Sequence, residues 1–298
     1  MHILLNNRGL IKIDGPDARA FLQGLVSQDM QRVSPHQAVY SAFLSPQGKF
    51  LFDFFCFEMD GTIILDCEAE RCSDFFKRLS MYKMRSKVEL SDVSDDYQIF
   101  AVMSAASAFD LMDQPRGTAT PFASGVAFVD PRLKDMGCRA VLKKGDKALT
   151  FAGLSSGEID DYESNRITLG LADGSRDMSV DKALLLENGF EELDGVSFTK
   201  GCFMGQELTA RTRYRGLVKK RLLPVKIEGQ TPMPGSILMN KTHEAGEMKT
   251  SIENMGLALV RLEQLEDGAP ISYGNTKLTP MVPDWVVFQD QNKDKNNA

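Results

Sequence analysis

Apolar positions along the chain change period several times, and each change marks an element. Leu10 to Ile13 alternates and predicts a short strand. Ala18, Phe21, Leu22 and Leu25 then recur at helical spacing behind Asp14, Pro16 and Asp17, which suit a helix start over 17–26. Val39 to Leu44 returns to strand texture, and Ser45-Pro46-Gln47-Gly48 reads as a turn. Phe50 to Phe57, the Asp60-Gly61 turn and Thr62 to Leu65 make a hairpin. Residues 68–84 carry Cys72, Phe75, Phe76 and Leu79 at helical spacing. Val88 to Leu90 and Tyr97 to Met103 read as strands, and the acidic turn between them, Ser91 to Asp96, suits a domain boundary.

The second half repeats the texture and then changes it. Residues 109–122 read as irregular, Gly125 to Val129 and Ala140 to Leu142 as strands. Ile159 to Leu171 predicts a helix ending at Gly170, with Tyr162 and Arg166 four apart on one face. Gln206 to Tyr214 predicts another, with Glu207 and Arg211 placed for an i,i+4 ion pair. From Leu217 the apolar runs shorten. Leu217 to Ile227, Ser236 to Met239, Met255 to Val260 and Ile271 to Tyr273 read as strands, and Ala245-Gly246-Glu247 as a turn. Short strands at this spacing predict a small β-barrel or sandwich. The fold class is therefore α+β, in three parts with a terminal tail: 1–93, 94–215 and 216–289, then 290–298 as a polar, disordered end.

Composition narrows this picture modestly. Hydrophobic residues make up 43% and charged residues 26%, the balance of a soluble globular protein. No apolar run reaches membrane-spanning length and no secretory apolar core opens the chain, so a cytoplasmic location is expected, without a membrane partner. The five cysteines are scattered without a Cys-x-x-Cys, which fits free thiols in a reducing compartment. The three histidines are isolated, so no metal site is predicted. Neither a dinucleotide nor a P-loop glycine signature is present.

Charge is where the sequence departs from the ordinary. Between Lys200 and Arg221 seven basic residues and one acid give +6, so the remainder of a chain of net −6 carries −12. That island begins at Lys200-Gly201-Cys202-Phe203-Met204-Gly205-Gln206-Glu207. The two glycines admit backbone dihedrals closed to other residues. A Cys just ahead of a helix start and near a lysine gains thiolate character. The same Cys reads equally well as a small buried core residue. The arginines that follow have a plain role as compensation for the helix C-terminus. Asp53, alone among Phe50, Leu51, Phe52, Phe54 and Phe55, also has two readings. Strand alternation turns it to solvent or a backbone amide. Alternatively it is a pocket carboxylate that accepts hydrogen bonds from a polar heterocycle.

The Lys200–Glu207 stretch, with Thr209-Ala210-Arg211 and Arg215-Gly216, resembles the signature of the YgfZ family of folate-binding proteins. That family is related to the glycine cleavage T-protein, an aminomethyltransferase. Further likeness lies in Asp17-Ala18, Phe21 to Leu25, Ser45 to Gly48 with Asp53, Asp130-Pro131-Arg132, Gly137 and Arg139. Residues 166–178 look most like bacterial relatives of the IBA57 iron–sulfur assembly factors.

The resemblance implies a three-domain ring of two ferredoxin-like α+β parts and a C-terminal β-barrel, holding tetrahydrofolate or a derivative. It implies an accessory role in assembling or repairing [4Fe–4S] proteins, including radical enzymes that modify tRNA, rather than ordinary catalysis. Iron–sulfur assembly proteins and client enzymes would be partners, and direct nucleic-acid binding is not expected. Cys202 takes the place of the family's functional thiol, with a transient cluster shared with a partner. Lys200 and Arg211 would keep its site electropositive. Asp53, Asp173, Asp177 and Arg211 are the candidate folate contacts. The transferases carry paired acids where this chain has Phe52-Asp53. A tetrahydrofolate-dependent aminomethyltransferase and a tRNA- or partner-binding module are the alternative functions.

Overall fold

The computed structural model describes residues 1–103, 106–216, 218–266 and 271–288. The tail expected to be disordered lies outside them. The chain is α+β, with two five-stranded antiparallel sheets and a closed six-stranded barrel. It divides into two compact units that interleave along the sequence. The first comprises 1–44, 51–162 and 193–204; the second comprises 45–50, 163–192 and 205–298.

Both five-stranded sheets belong to the first unit. One runs in the order Val39–Leu44, Phe50–Met59, Thr62–Glu68, Arg8–Asp14, Glu89–Asp92. Its long second strand, Phe50–Met59, is buried at nearly every position, so neighbouring residues are inside on both faces. That explains the unbroken run Phe50 to Phe57, since a strand covered on both sides has no polar face to alternate with. The Cys72–Tyr82 helix covers one face and inserts Phe75, which stacks on Phe52 at 4.6 Å and meets Phe43 and Phe54. The helix predicted over 17–26 is confined to Ala18–Gln23, closed by Gly24.

The other sheet runs His2–Leu4, Tyr97–Val102, Cys138–Lys143, Gly125–Val129, Ala119–Phe122. Its last strand falls in the stretch read as irregular. Pro121 sits on this edge strand, where its missing N–H leaves no central ladder bond unmade.

The second unit is built on the barrel. Its order is Lys220–Glu228, Met255–Arg261, His243–Ile252, Ile237–Asn240, Ile271–Tyr273 and Thr276–Pro280, the last strand pairing back to the first. Leu223, Val225, Leu238, Met248, Ala258 and Val260 fill it. The predicted turn at Ala245 to Glu247 is instead part of the ten-residue His243–Ile252 strand. The strand register shifts between Met248 and Ser251, so alternation breaks and the sequence loses its period-two signal. Residues 163–192 belong with the barrel: Trp285 Nε1 donates to Leu169 O at 2.7 Å, and Arg221 donates to Leu186 O at 2.7 Å.

Candidate functional site

The motif loop is placed by a part of the chain some 170 residues away. Residues 193–204 pack with the first unit, beside the segment that follows the Ala18–Gln23 helix. Ser197 N donates to Ser27 O at 3.0 Å, and Met204 N donates to Gly24 O at 3.0 Å. Ser27 Oγ donates to Gly195 O at 2.6 Å, and Gln28 Nε2 donates to Asp194 O at 2.6 Å. Arg32 closes a two-armed ion pair on Asp194 at 3.0 and 2.7 Å. Most of these bonds use main-chain groups, so they fix the course of the loop more than any one side chain.

Lys200 is the centre of this stapling. Its Nζ donates to Val26 O at 2.7 Å and to Gln28 O at 2.6 Å, and lies 5.4 Å from the Phe203 ring centre. Burial pulls its pKa down to about 8, with Asp29 opposing that shift. The expectation that Lys200 provides an electropositive wall is thus sharpened. Its ammonium is engaged in holding the loop.

Cys202 projects from the stapled loop and is exposed. The core-residue reading is therefore overturned, because the neighbouring Phe203 takes the buried place instead. Cys56, Cys67, Cys72 and Cys138 are all buried. Both motif glycines adopt left-handed φ, 94° at Gly201 and 79° at Gly205, and Gly205 is the N-cap of the Gln206–Tyr214 helix. The helix has its predicted bounds, but the predicted Glu207–Arg211 pair does not form among the described residues. Arg213 instead pairs with Glu191 at 2.6 Å. Arg211 and Arg215 are exposed, and so is Glu207. Gly48, in the early turn, sits against the start of this helix. A Cβ there would lie 2.7 Å from both Gly205 O and Leu208 Cβ, at a φ of +77°.

Asp53 is buried, 4% exposed, and accepts from Tyr40 Oη at 2.8 Å. The solvent-facing reading fails because the strand is covered on both faces. Burial and the Asp53 charge together push the Tyr40 phenol well above its usual pKa. Sequence reasoning missed the network around it. Asp66 is fully buried and bound by Arg8 at 2.6 Å and Arg139 at 2.7 Å; Arg139 also donates to Tyr162 Oη at 3.0 Å. Arg132 pairs with Asp130 at 2.8 Å. Phe55 has the guanidinium carbons of Arg139 and Arg132 at 3.9 and 4.8 Å from its ring centre. The available signal was Asp66 itself, an acid flanked by apolar strand residues like Asp53.

The other two candidate folate acids are also engaged. Asp177 is fully buried against Arg166 at 2.8 Å and accepts from Thr250 N at 3.1 Å. Asp173 pairs with Arg176 at 2.9 Å. Arg166 spans Asp177 and Glu163, the latter at 2.8 Å. Burial raises the Glu163 carboxyl, but Arg166 prevails and holds it below the usual range. Asp53, Asp173 and Asp177 each already have a protein partner, so a pterin would have to share these carboxylates with Tyr40, Arg176 and Arg166. No cluster of three or more metal-ligating side chains occurs among the described residues.

Two parts of the chain match known domain families. Residues 5–120 match the GCVT N-terminal domain, and residues 219–288 match the CAF17 C-terminal β-barrel domain. The chain is 34% identical to the mitochondrial iron–sulfur cluster assembly factor IBA57 of Mus musculus, over 94% of this chain and 84% of that protein. The chain belongs to the IBA57 family. The Homo sapiens IBA57 is 31% identical over 94% of this chain and 84% of its own length. The Mycosarcoma maydis homolog of IBA57 is 32% identical over 89% and 75%.

The crystal structure of glycine cleavage system aminomethyltransferase T from Bartonella henselae superposes with a TM-score of 0.77. It covers 96% of this chain and 86% of that one, and its 15% identity speaks for the fold alone. The IBA57 relatives are described as mitochondrial, which overturns the expected cytoplasmic location. The expectation rested on the lack of a secretory apolar core. Lack of that core argues only against secretion and does not fix a compartment. Among the described residues no helix is long and apolar enough to cross a membrane.

Proposed function

We propose that this chain is an accessory factor in the assembly or repair of [4Fe–4S] proteins, with Cys202 as the thiol that meets the cluster. The observation that carries this reading is the presentation of Cys202, an exposed sulfur on a loop stapled through main-chain carbonyls. A loop held this way keeps its course when the sulfur binds or releases a soft metal. The IBA57 names of the relatives supply the cargo. In the proposed step the Cys202 thiol gives its proton to a thiolate leaving the donor's cluster iron. The Cys202 sulfur then donates its electron pair to that iron. The reverse exchange hands the cluster to the client, with no change of oxidation state. A single thiol supplies one corner, so the remaining ligands belong to partners. Arg211, exposed on the Gln206–Tyr214 helix, and Arg215 at its C-cap would favour an acidic partner face.

The aminomethyltransferase alternative needs free carboxylates around a pterin, and the engaged state of Asp53, Asp173 and Asp177 weighs against it. The test is complementation of a strain deleted for this factor, scored on [4Fe–4S] enzymes that include tRNA-modifying radical enzymes. Cys202→Ala is expected to abolish rescue while leaving the urea midpoint of the purified protein unchanged. Full rescue by Cys202→Ala sinks the proposal.

A further inference from the structure

The second unit contains a cavity of about 320 Å3, and none of its lining residues belongs to the thiol loop. Its wall carries four lysines, Lys49, Lys182, Lys220 and Lys249, and no arginine. Three carboxylates share it: Asp177, Glu187 and Glu247. Asp177 is cancelled by Arg166 at 2.8 Å, outside the lining. Glu247 is committed to Lys249 at 2.6 Å. With Asp177 neutralised, four ammonium groups stand against two carboxylates, a surplus of +2. Lys220 has a further acid, Glu244, only at 4.0 Å and on an exposed side chain, where screening leaves little interaction.

A set of solvated surface lysines is the ordinary explanation for such a wall, and three observations weigh against it. Lys249 is 6% exposed, and burying an ammonium is costly unless something fills its remaining donor positions. Lys49 and Lys182 have no ion-pair partner among the described residues. Glu187 is half-buried, and its carboxyl is raised by burial against the pull of Lys220 and Lys49, so these three groups border one open-sided cavity.

We propose that this cavity binds a phosphate group, free or as a monoester. The surplus of +2 matches a phosphate dianion. Ammonium groups are point charges with three donors each, which suit a tetrahedral oxyanion. A planar carboxylate is better met by a guanidinium fork, and the lining has none. Glu187 is the opposing group in the site, so its ionised form limits affinity. The proposal stands apart from the iron–sulfur reading and survives its failure.

The experiment is calorimetric titration of the full chain with inorganic phosphate and, separately, with glycerol phosphate, at low ionic strength. Glutarate is the dicarboxylate control. Saturable one-to-one binding is expected for at least one phosphate ligand and weaker binding for glutarate. The partly exposed Lys49 and exposed Lys182 can be replaced without breaking the core. Lys49→Ala with Lys182→Ala should weaken binding by about tenfold or more, the scale of charge-assisted bonds lost. Glu187→Gln should tighten it. Free phosphate binding as well as the monoester assigns the site to the anion itself, and monoester binding alone assigns it to a phosphorylated metabolite. Absence of saturable binding, preference for glutarate, or indifference to all three substitutions overturns the proposal.

Discussion

At the scale of the residue, Lys200 shows how one side chain changes meaning between sequence and structure. As a letter in a basic run it reads as positive charge near a thiol. In the fold its amine is a strut between Val26 O and Gln28 O. Its pKa of about 8, against an ordinary 10.5, gives a signed prediction. Below pH 8 the lysine is charged in both states and the fold carries the burial cost. As pH rises from about 8 to 10.5 the folded form releases its proton before the unfolded chain does, so this group's contribution becomes more favourable. Even neutral, the amine keeps two N–H donors for two carbonyls. The urea midpoint of wild type relative to Lys200→Gln should therefore widen in favour of wild type between about pH 7 and about pH 9.5. A constant gap would show that Lys200 is not buried as described.

Asp66 makes the complementary point. It is a buried acid flanked by apolar strand residues, and its partners, Arg8 and Arg139, lie 58 and 73 residues away. No local pattern pairs them, so the sequence shows an anomaly without its resolution. Asp66→Asn leaves two buried guanidinium groups short of a counter-charge. The expected loss is about 3–5 kcal/mol of folding stability, measured by denaturant unfolding.

At the scale of the element, the legible parts are those with a regular period and local stop signals. The Gln206–Tyr214 helix and the Val39–Leu44, Gly125–Val129 and Ile271–Tyr273 strands have the bounds the pattern gives. The His243–Ile252 strand was hidden because consecutive residues are buried, Ala245 with Gly246 and Met248 with Lys249. A register shift and a lysine turned toward a cavity both defeat a period-two reading. Packing of the Cys72–Tyr82 helix rests on Phe75, surrounded by Phe43, Phe52 and Phe54. Phe75→Ala should cost about 3–5 kcal/mol, seen as a lower urea midpoint. Gly48→Ala combines a left-handed φ with a close approach to Gly205 and Leu208. It should lower stability by about 1–3 kcal/mol, and backbone amide exchange should rise at the start of the Gln206–Tyr214 helix.

At the scale of the whole molecule, the α+β class and the terminal barrel were legible, whereas the interleaving of the two units was not. Sequence boundaries follow changes of texture, and the contacts that bind residues 163–192 to the barrel side are single side-chain bonds. Trp285 to Leu169, Arg221 to Leu186 and Asp177 to Thr250 are examples. They predict that a fragment of residues 163–288 unfolds at higher urea than one of 216–288. Equal midpoints would mean the barrel stands without that segment. The motif glycines and Cys202 were legible as a candidate site because their spacing is compact. The segment that holds them, Gly24 to Gln28, was not, because main-chain carbonyls carry no residue code.

The exposure of Cys202 alone among five cysteines has a practical side. In the folded protein a maleimide should add once, whereas in denaturant it should add five times. That ratio makes residue 202 an address for a reporter group. A fluorophore placed there would sense an approaching partner directly, with no engineered cysteine and no native one removed.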